Sequence, residues 1–250
     1  MATHMHWESY FVEPKNVFDE ELVISGEEAH HLSRVMRKKK GDCIWAVDGE
    51  GGAYEVEIYN KDKKKIQCKI LKRRRCIGEP VANLTLAQGV LKKEKFELLI
   101  QKATEIGVSR IIPMLSKKTV VKPGKNKKAR WSTIARSAMK QCCRSIIPEI
   151  TEPLSLNKVL SQGIDCSLRF IAQAQEDSKP LQHYFTDSKN FFHKKALIVV
   201  GPEGGFTEEE VNLAQEQGFK KISLGPRRLR AETAGIVLSA LVLSELGELG

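Results

Sequence analysis

The sequence predicts an α/β protein in two parts. Residues 1–75 read as a small, mostly β, barrel-like domain, and residues 76–250 as a mostly parallel sheet with helices on both faces. Three observations predict this. After Pro80, segments of strand and helix period alternate, the pattern of strand–helix–strand units. Before it, short strands separated by turn residues dominate. Hydrophobic residues make up 41% of the 250 positions, enough for a core and too many for a disordered chain.

The elements follow in order. Strands are expected at Tyr10–Val12, Leu22–Ile24, Asp42–Asp48, Ala53–Tyr59 and Lys65–Leu71, with a helix at Glu27–Arg37. The run Asp48-Gly-Glu-Gly-Gly52 between two of these strands is a hairpin signal. Lys72 to Pro80 reads as a charged linker. Asn83–Gly89 is strand-like, and Lys92–Ile106 is helical, with Phe96, Leu99, Ile100, Ala103 and Ile106 on one face. A strand at Ile111–Leu115, a lysine-rich loop from Lys117 to Lys128 and a helix at Trp131–Arg144 come next. Strands at Leu168–Ala172, Ala196–Val200 and Lys221–Leu224, and helices at Glu208–Gln217 and Ala231–Leu246, complete the series.

Composition excludes several classes. No apolar run reaches the roughly 18 residues of a membrane span. The start, Met1 to Trp7, lacks the charged-then-apolar pattern of a signal peptide. The cysteines Cys43, Cys68, Cys76, Cys142, Cys143 and Cys166 contain no C-x-x-C pair. Reduced thiols in a cytoplasmic protein are expected, with no metal and no membrane partner. Adjacent His30 and His31 point about 100° apart on a helix and do not suit one metal. Cys142 and Cys143 read as packing residues, and Trp45 and Trp131 as core anchors.

The net charge of +10 is unevenly spread. Residues 1–75 hold 15 basic and 13 acidic side chains, residues 76–150 hold 15 and 5, and residues 151–250 hold 11 and 13. The whole excess sits in the middle segment and points to a polyanionic partner, nucleic acid before membrane. Lys92, Lys93, Lys95, Lys117, Lys118, Lys122 and the basic residues of the 125–130 run are candidate phosphate contacts.

Two loops hold the chemistry. The buried-strand run Ala196–Val200 breaks into Gly201-Pro-Glu-Gly-Gly-Phe206, and Thr207-Glu-Glu-Glu210 then forms a capping box. Such a loop lies at the carboxyl edge of a parallel sheet, where ligands bind, and its glycines admit close approach to backbone amides. It matches neither phosphate-loop nor dinucleotide fingerprint, and its acidic helix start repels phosphate, so neither a nucleoside triphosphate nor NAD is expected. The second loop runs Gly225-Pro-Arg-Arg-Leu-Arg230 into an almost wholly apolar helix. Arg227, Arg228 and Arg230 gather at a helix N-terminus, where cations are disfavoured, which suggests work other than stability.

Together the loops resemble a known family. Gly201-Pro-Glu-Gly-Gly205 followed by Leu224-Gly-Pro-Arg-Arg-Leu-Arg-Ala-Glu-Thr-Ala234 looks like the signature of the 16S ribosomal RNA uracil-N3 methyltransferases, of the knotted SPOUT class. The resemblance extends over essentially the whole chain. Lys93-Glu-Lys-Phe-Glu97 and Gln101 to Val108 are similar to the first helix of its catalytic domain, and Gln141 to Pro148 to a family helix end. His31-x-x-x-Val35-x-Arg37 is similar to its PUA-like RNA-binding module.

The resemblance implies a trefoil knot formed around the C-terminal helix, a homodimer, and S-adenosyl-L-methionine as cofactor. It implies cofactor contacts at Ile171, Ala172, Val200, Gly201, Glu203, Gly204, Gly205, Leu224, Gly225, Leu229 and Thr233. It implies a substrate, 16S rRNA or the small ribosomal subunit, methylated at uridine 1498. RNA contacts are expected at Arg34, Arg37, Lys92, Lys93, Lys117, Lys118, Arg144, Arg227 and Arg228. Uracil N3 is a poor nucleophile until its proton is removed, and guanidinium donors stabilise the resulting anion. Arg230 is expected in that role, with Glu232 as general base or as the residue orienting an arginine. A ribose 2′-O-methyltransferase of the same class and a non-catalytic RNA-binding protein are the alternatives. The Asn-x-Gly-x-x-x-Arg segment of the former is missing from the sequence.

Overall fold

A computed structural model describes residues 9–62, 64–121, 123–124, 126–173, 178–185 and 195–249. Lys122, Lys125 and the first eight residues fall outside these. The chain packs as two compact units, residues 1–79 with 136–147, and residues 80–135 with 148–250.

The first unit is built on a curled five-stranded sheet. Its strands are β1 (Ser9–Phe11), β2 (Glu21–Ser25), β3 (Cys43–Val47), β4 (Gly52–Lys61) and β5 (Lys65–Arg75), in the order β1-β3-β4-β5-β2. Only the β1–β3 pair is parallel. Alternate side chains point inward, so Leu22 and Ile24, Val56 and Ile58, and Ile66 and Cys68 meet Ala29 and Leu32 in one core. Ala29 lies on the short helix α1 (Gly26–His30), which continues as a π-helical turn over His31–Val35 carrying Leu32. The return segment 136–147 belongs here for visible reasons. Arg136 lies 4.9 Å over the Phe11 ring, Ser9 Oγ donates to the Lys140 carbonyl at 2.8 Å, and Met139 packs with Val47 and Ala53.

The second unit is a sheet in which every pairing is parallel. Its elements are β6 (Asn83–Gly89), α2 (Lys93–Ile106), β7 (Arg110–Leu115), α3 (Lys127–Gln141), β8 (Glu149–Ile150), β9 (Leu154–Ser155), α4 (Leu156–Gln162), β10 (Leu168–Ala172), β11 (Lys179–Pro180), β12 (Lys195–Val200), α5 (Glu208–Glu216), β13 (Lys220–Ser223) and α6 (Ala231–Glu245). Residues 127–135 of α3 group with this unit and 136–141 with the first. The strand order is β11-β13-β10-β12-β6-β7-β8, with β9 also on β7. On one face Ala87, Ile112, Met114, Ile171, Leu197 and Val199 pack with α4 and α5. The alternate residues face α2 and α6, which pack on each other and, through α6, on β6 and β12. α2 buries Phe96, Leu99, Ile100 and Ala103 and stops at Gly107, in the left-handed region at φ 113°. Trp131 of α3 is the expected core anchor, with its ring 4.7 Å from that of Phe96.

Several expectations change. Lys72–Arg75 is not linker but the end of β5, paired with Gly52–Glu55; the run of charge hides a strand whose outer half is solvated. α3 begins at Lys127, inside the expected lysine-rich loop, and ends at Gln141. α4 is an element that turn and charge signals did not reveal, seven residues long with Leu156, Val159 and Leu160 buried. Residues 136–147 group by packing with the first unit.

Burial pushes the Cys68 thiol up to about 12, whereas Cys43 and Cys76 are exposed. The thiolate is the reactive species. Brief alkylation of the native protein near pH 8 is expected to mark Cys43 and Cys76 and spare Cys68 until denaturant is added. Peptide mass spectrometry reads the outcome, and equal labelling of Cys68 and Cys43 contradicts it.

Candidate active site

Three neighbouring strands, β12, β10 and β13, end side by side. The chain leaving them forms a cleft of about 510 Å³, at the carboxyl edge where parallel sheets bind ligands and in the size range of cofactor pockets. Val200 to Phe206 line it from β12, Ala172 and Gln173 from β10, and Leu224 to Leu229 from β13.

The glycine turn is fixed from behind. A Cβ on Gly89, at the end of β6, would sit 2.3 Å from Pro202 N, so this position must stay bare. The fully buried Gln88 donates its Nε2 to the Gly201 carbonyl at 3.0 Å. A Cβ on Gly235 of α6 would come 2.4 Å from Gln88 Oε1, so that glycine makes room for the amide. Gly205 adopts φ 66°, and its N–H donates to the Pro202 carbonyl at 2.9 Å. Thr207 then starts α5 with a capping box: Thr207 Oγ1 accepts from Glu210 N, and Glu210 Oε2 accepts from Thr207 N. The other Glu210 oxygen accepts from Lys117 N at 2.7 Å, which ties the loop after β7 to the same corner. Lys118 Nζ donates to the Phe206 carbonyl at 3.0 Å and lines the cleft.

The arginine loop forms the opposite wall. Gly225 turns at φ 98°, Arg227 and Arg228 line the cleft with exposed side chains, and Leu229 is half-buried. Arg230 is exposed at the cap position of α6, where its carbonyl accepts from Ala234 N at 2.8 Å. Glu232, in the first turn, is buried, with Oε2 making no hydrogen bond. Its ion-pair partner is Lys95 of α2, 4.0 Å away, rather than an arginine of its own loop.

Most of the expected residues therefore converge. Ala172, Val200, Gly201, Glu203, Gly204, Gly205, Leu224, Gly225 and Leu229 all line the cleft. Ile171 does not: it is fully buried in the core between the sheet and α4 and α5, because strand alternation turns it away from the strand end. Thr233, half-buried on α6, lies outside the lining, and so do the exposed Arg230 and the buried Glu232, although Leu229, Ala231 and Ala234 around them belong to it. Ile222, Pro226 and Gln173 also line it; Gln173 is held by its backbone, with N donating to the Ile222 carbonyl at 3.0 Å.

The expected RNA contacts divide. Arg34 and Arg37 in the first unit, and Lys92 and Lys93 at the start of α2, are exposed. Lys117 is exposed but paired with Glu209. Arg144 is corrected: it is 2% exposed, and Glu79 accepts from its Nε and Nη2 at 3.0 and 2.7 Å. A guanidinium so buried builds the fold of the first unit and presents nothing to a phosphate. Among the described residues, eight basic side chains between 76 and 150 form ion pairs, namely Lys95, Lys102, Arg110, Lys117, Lys128, Arg130, Lys140 and Arg144. Several of their acids, such as Glu28, Glu152, Glu209 and Glu232, come from other segments. A segment's net charge says nothing of partners that folding brings in.

The lining suits S-adenosyl-L-methionine. Val200, Ile222, Leu224 and Leu229 offer apolar surface for a purine, and Glu203 offers a carboxylate to a cationic ligand. Where Gly205 and Gly225 lack a Cβ, nothing lies within 4 Å, so both turns leave space that any other residue would fill.

The comparisons agree with this geometry. An RNA methyltransferase domain matches residues 78–243, and an RNA methyltransferase PUA domain matches residues 24–71. The ribosomal RNA small subunit methyltransferase E of Bacillus subtilis is 34% identical over 242 residues, covering 93% of this chain and 94% of that protein. That of Aquifex aeolicus is 30% identical, covering 89% and 94%. A crystal structure of the Neisseria gonorrhoeae ribosomal RNA small subunit methyltransferase E bound to S-adenosyl methionine is similar at a TM-score of 0.84 and 27% identity, covering 96% of this chain and 98% of that one. A domain model spanning most of the chain and relatives matched along nearly their full length place this protein in the ribosomal RNA small subunit methyltransferase E family.

Proposed function

We propose that this protein transfers a methyl group from S-adenosyl-L-methionine to N3 of uridine 1498 in 16S rRNA. The observation that supports this most is the wall shared by cleft and arginine loop: Arg227, Arg228 and Leu229 line the cleft, and Arg230 and Glu232 follow within three residues. S-adenosyl-L-methionine supplies an electrophilic methyl group when bound between the glycine turn and the arginine loop. The protein's own residues supply the rest. Arg227, Arg228 and Lys118 at the rim draw the polyanion and fix its register by phosphate contacts. N3 lies on the pairing edge of uracil, so the target base must be unpaired or extruded to reach the cleft. Glu232 accepts the N3 proton. Arg230 donates to a carbonyl oxygen flanking N3 and stabilises the negative charge that develops there. Holding N3 in line with the methyl group is then a matter of placement.

The reading extends to a cytoplasmic homodimer and to a trefoil knot around α6. Two features support the knot: α6 is almost wholly apolar from Ala234 to Leu243, and β13 lies beside β10 although β12 intervenes in sequence. Light scattering of the purified protein checks the dimer.

Cells lacking the protein are expected to lose one 3-methyluridine from 16S rRNA by nucleoside mass spectrometry, and reverse transcription is expected to stop pausing at that base. Purified protein with S-adenosyl-L-methionine should restore both. A mark that persists, or a ribose mark that permits read-through, overturns the reading.

A further inference from the structure

The first turn of α2 holds an ammonium group that reaches carboxylates on two other elements. Lys95 Nζ lies 3.6 Å from Glu203 in the glycine turn and 4.0 Å from Glu232 at the start of α6. The three differ in exposure: the Glu232 side chain is 8% exposed, Lys95 34% and Glu203 40%. A carboxylate as buried as Glu232 needs a counter-charge, and Lys95 supplies it. Glu232 Oε2 is buried without a hydrogen-bond partner, so its capacity to accept a proton is not used within the protein. Helix stability does not explain the lysine, because a cation in the first turn opposes the helix dipole.

From its place beside Lys92 and Lys93 in the sequence, Lys95 reads as one more phosphate contact. The structure separates it from them. Lys92 and Lys93 are exposed, whereas Lys95 is turned towards the two acids. We propose that Lys95 is a positioning residue for methyl transfer. It holds the buried Glu232 carboxylate in place with Oε2 free of any hydrogen-bond partner within the protein, and through Glu203 it fixes the glycine turn to the same point. This rests on the reading of Glu232 as the group that faces uracil N3. Without the ammonium, Glu232 loses the counter-charge that pairs with it among the described residues, and its orientation is lost. The cleft survives, because Lys95 is not among the residues lining it.

The test uses the full-length Lys95→Met and Lys95→Arg proteins with 16S rRNA substrate. Steady-state kcat and KM, calorimetric affinity for S-adenosyl-L-methionine, and melting temperature are measured for both. Lys95→Met is expected to lower kcat about 100-fold, the scale of one positioned acid–base group. KM for RNA and affinity for S-adenosyl-L-methionine should stay within about 3-fold, and Lys95→Arg should restore kcat to within about 10-fold of wild type. Three results overturn the proposal: an unchanged kcat, a loss confined to KM for RNA as a phosphate contact gives, or a parallel loss of cofactor affinity and melting temperature as a scaffold residue gives. Product analysis of the wild-type enzyme keeps the two readings apart. If the wild type methylates another atom, the uracil-N3 assignment fails, while the division between kcat and KM still reports on Lys95.

Discussion

Replacing Arg230 with alanine is expected to lower kcat about 10²–10³-fold and to leave RNA affinity within about 10-fold of wild type, an effect equivalent to about 3–4 kcal/mol of transition-state stabilisation. The structure makes this a clean substitution. Arg230 caps α6 with its carbonyl, and its side chain makes no cap hydrogen bond. Among the described residues it is in no ion pair. Removing an exposed cation from a helix N-terminus relieves an unfavourable dipole interaction of a few tenths of a kcal/mol. The variant should therefore melt at or slightly above the wild-type temperature while turnover collapses. Arg227→Ala and Arg228→Ala should behave differently, with binding rather than chemistry affected and the salt dependence of binding made shallower by about one counterion each. Single-turnover methylation at saturating RNA separates the cases. Near-normal turnover in Arg230→Ala removes Arg230 from the chemistry.

The parts of this fold that were legible in the sequence are those whose signal is local. The glycine turn and the arginine loop were readable because turn chemistry and helix starts depend on adjacent residues, and nine of the eleven expected cofactor residues line the cleft. Ile171 was misplaced by one step of strand alternation, the distance that separates a lining residue from a core one. Gln88 left a faint trace, a polar residue in an otherwise apolar strand end, but its partner carbonyl at Gly201 lies 113 residues away. Lys95 and Arg144 were unreadable for the same reason. Both sit in basic company, and what each does is decided by an acid that only folding brings near, Glu232 for one and Glu79 for the other. Assigning 136–147 to the first unit likewise depends on contacts with Ser9, Phe11 and Gly49, more than 90 residues away in the chain.

Glu79→Ala is expected to destabilise the first unit by about 3–5 kcal/mol, the usual cost of stranding one member of a buried ion pair. Glu79 satisfies four donors at once. Its Oε2 accepts from Arg144 Nε and Nη2, and its Oε1 accepts from the backbone N–H groups of Ser145 and Ile146, each at 2.9 Å. The two side chains are 3% and 8% exposed, so water cannot replace what is lost. The segment held this way is itself paired: Ser145 O accepts from Gly51 N at 3.0 Å, and Ile147 N donates to Gly49 O at 2.9 Å. Loosening Glu79 should therefore release both strips together. Hydrogen exchange at Gly51 and at residues 145–147 should quicken before exchange in the β6–β7 pair does. Glu79→Gln keeps an acceptor for the two amides but gives up the charge, and should fall between Ala and wild type. Lysine at 144 keeps the charge but loses the fork that meets one carboxylate oxygen twice, so Arg144→Lys should also destabilise. If Arg144 instead serves RNA, Arg144→Lys melts like the wild type and only RNA affinity changes. A guanidinium with 3% of its side chain exposed and its carboxylate partner in place argues for the first outcome.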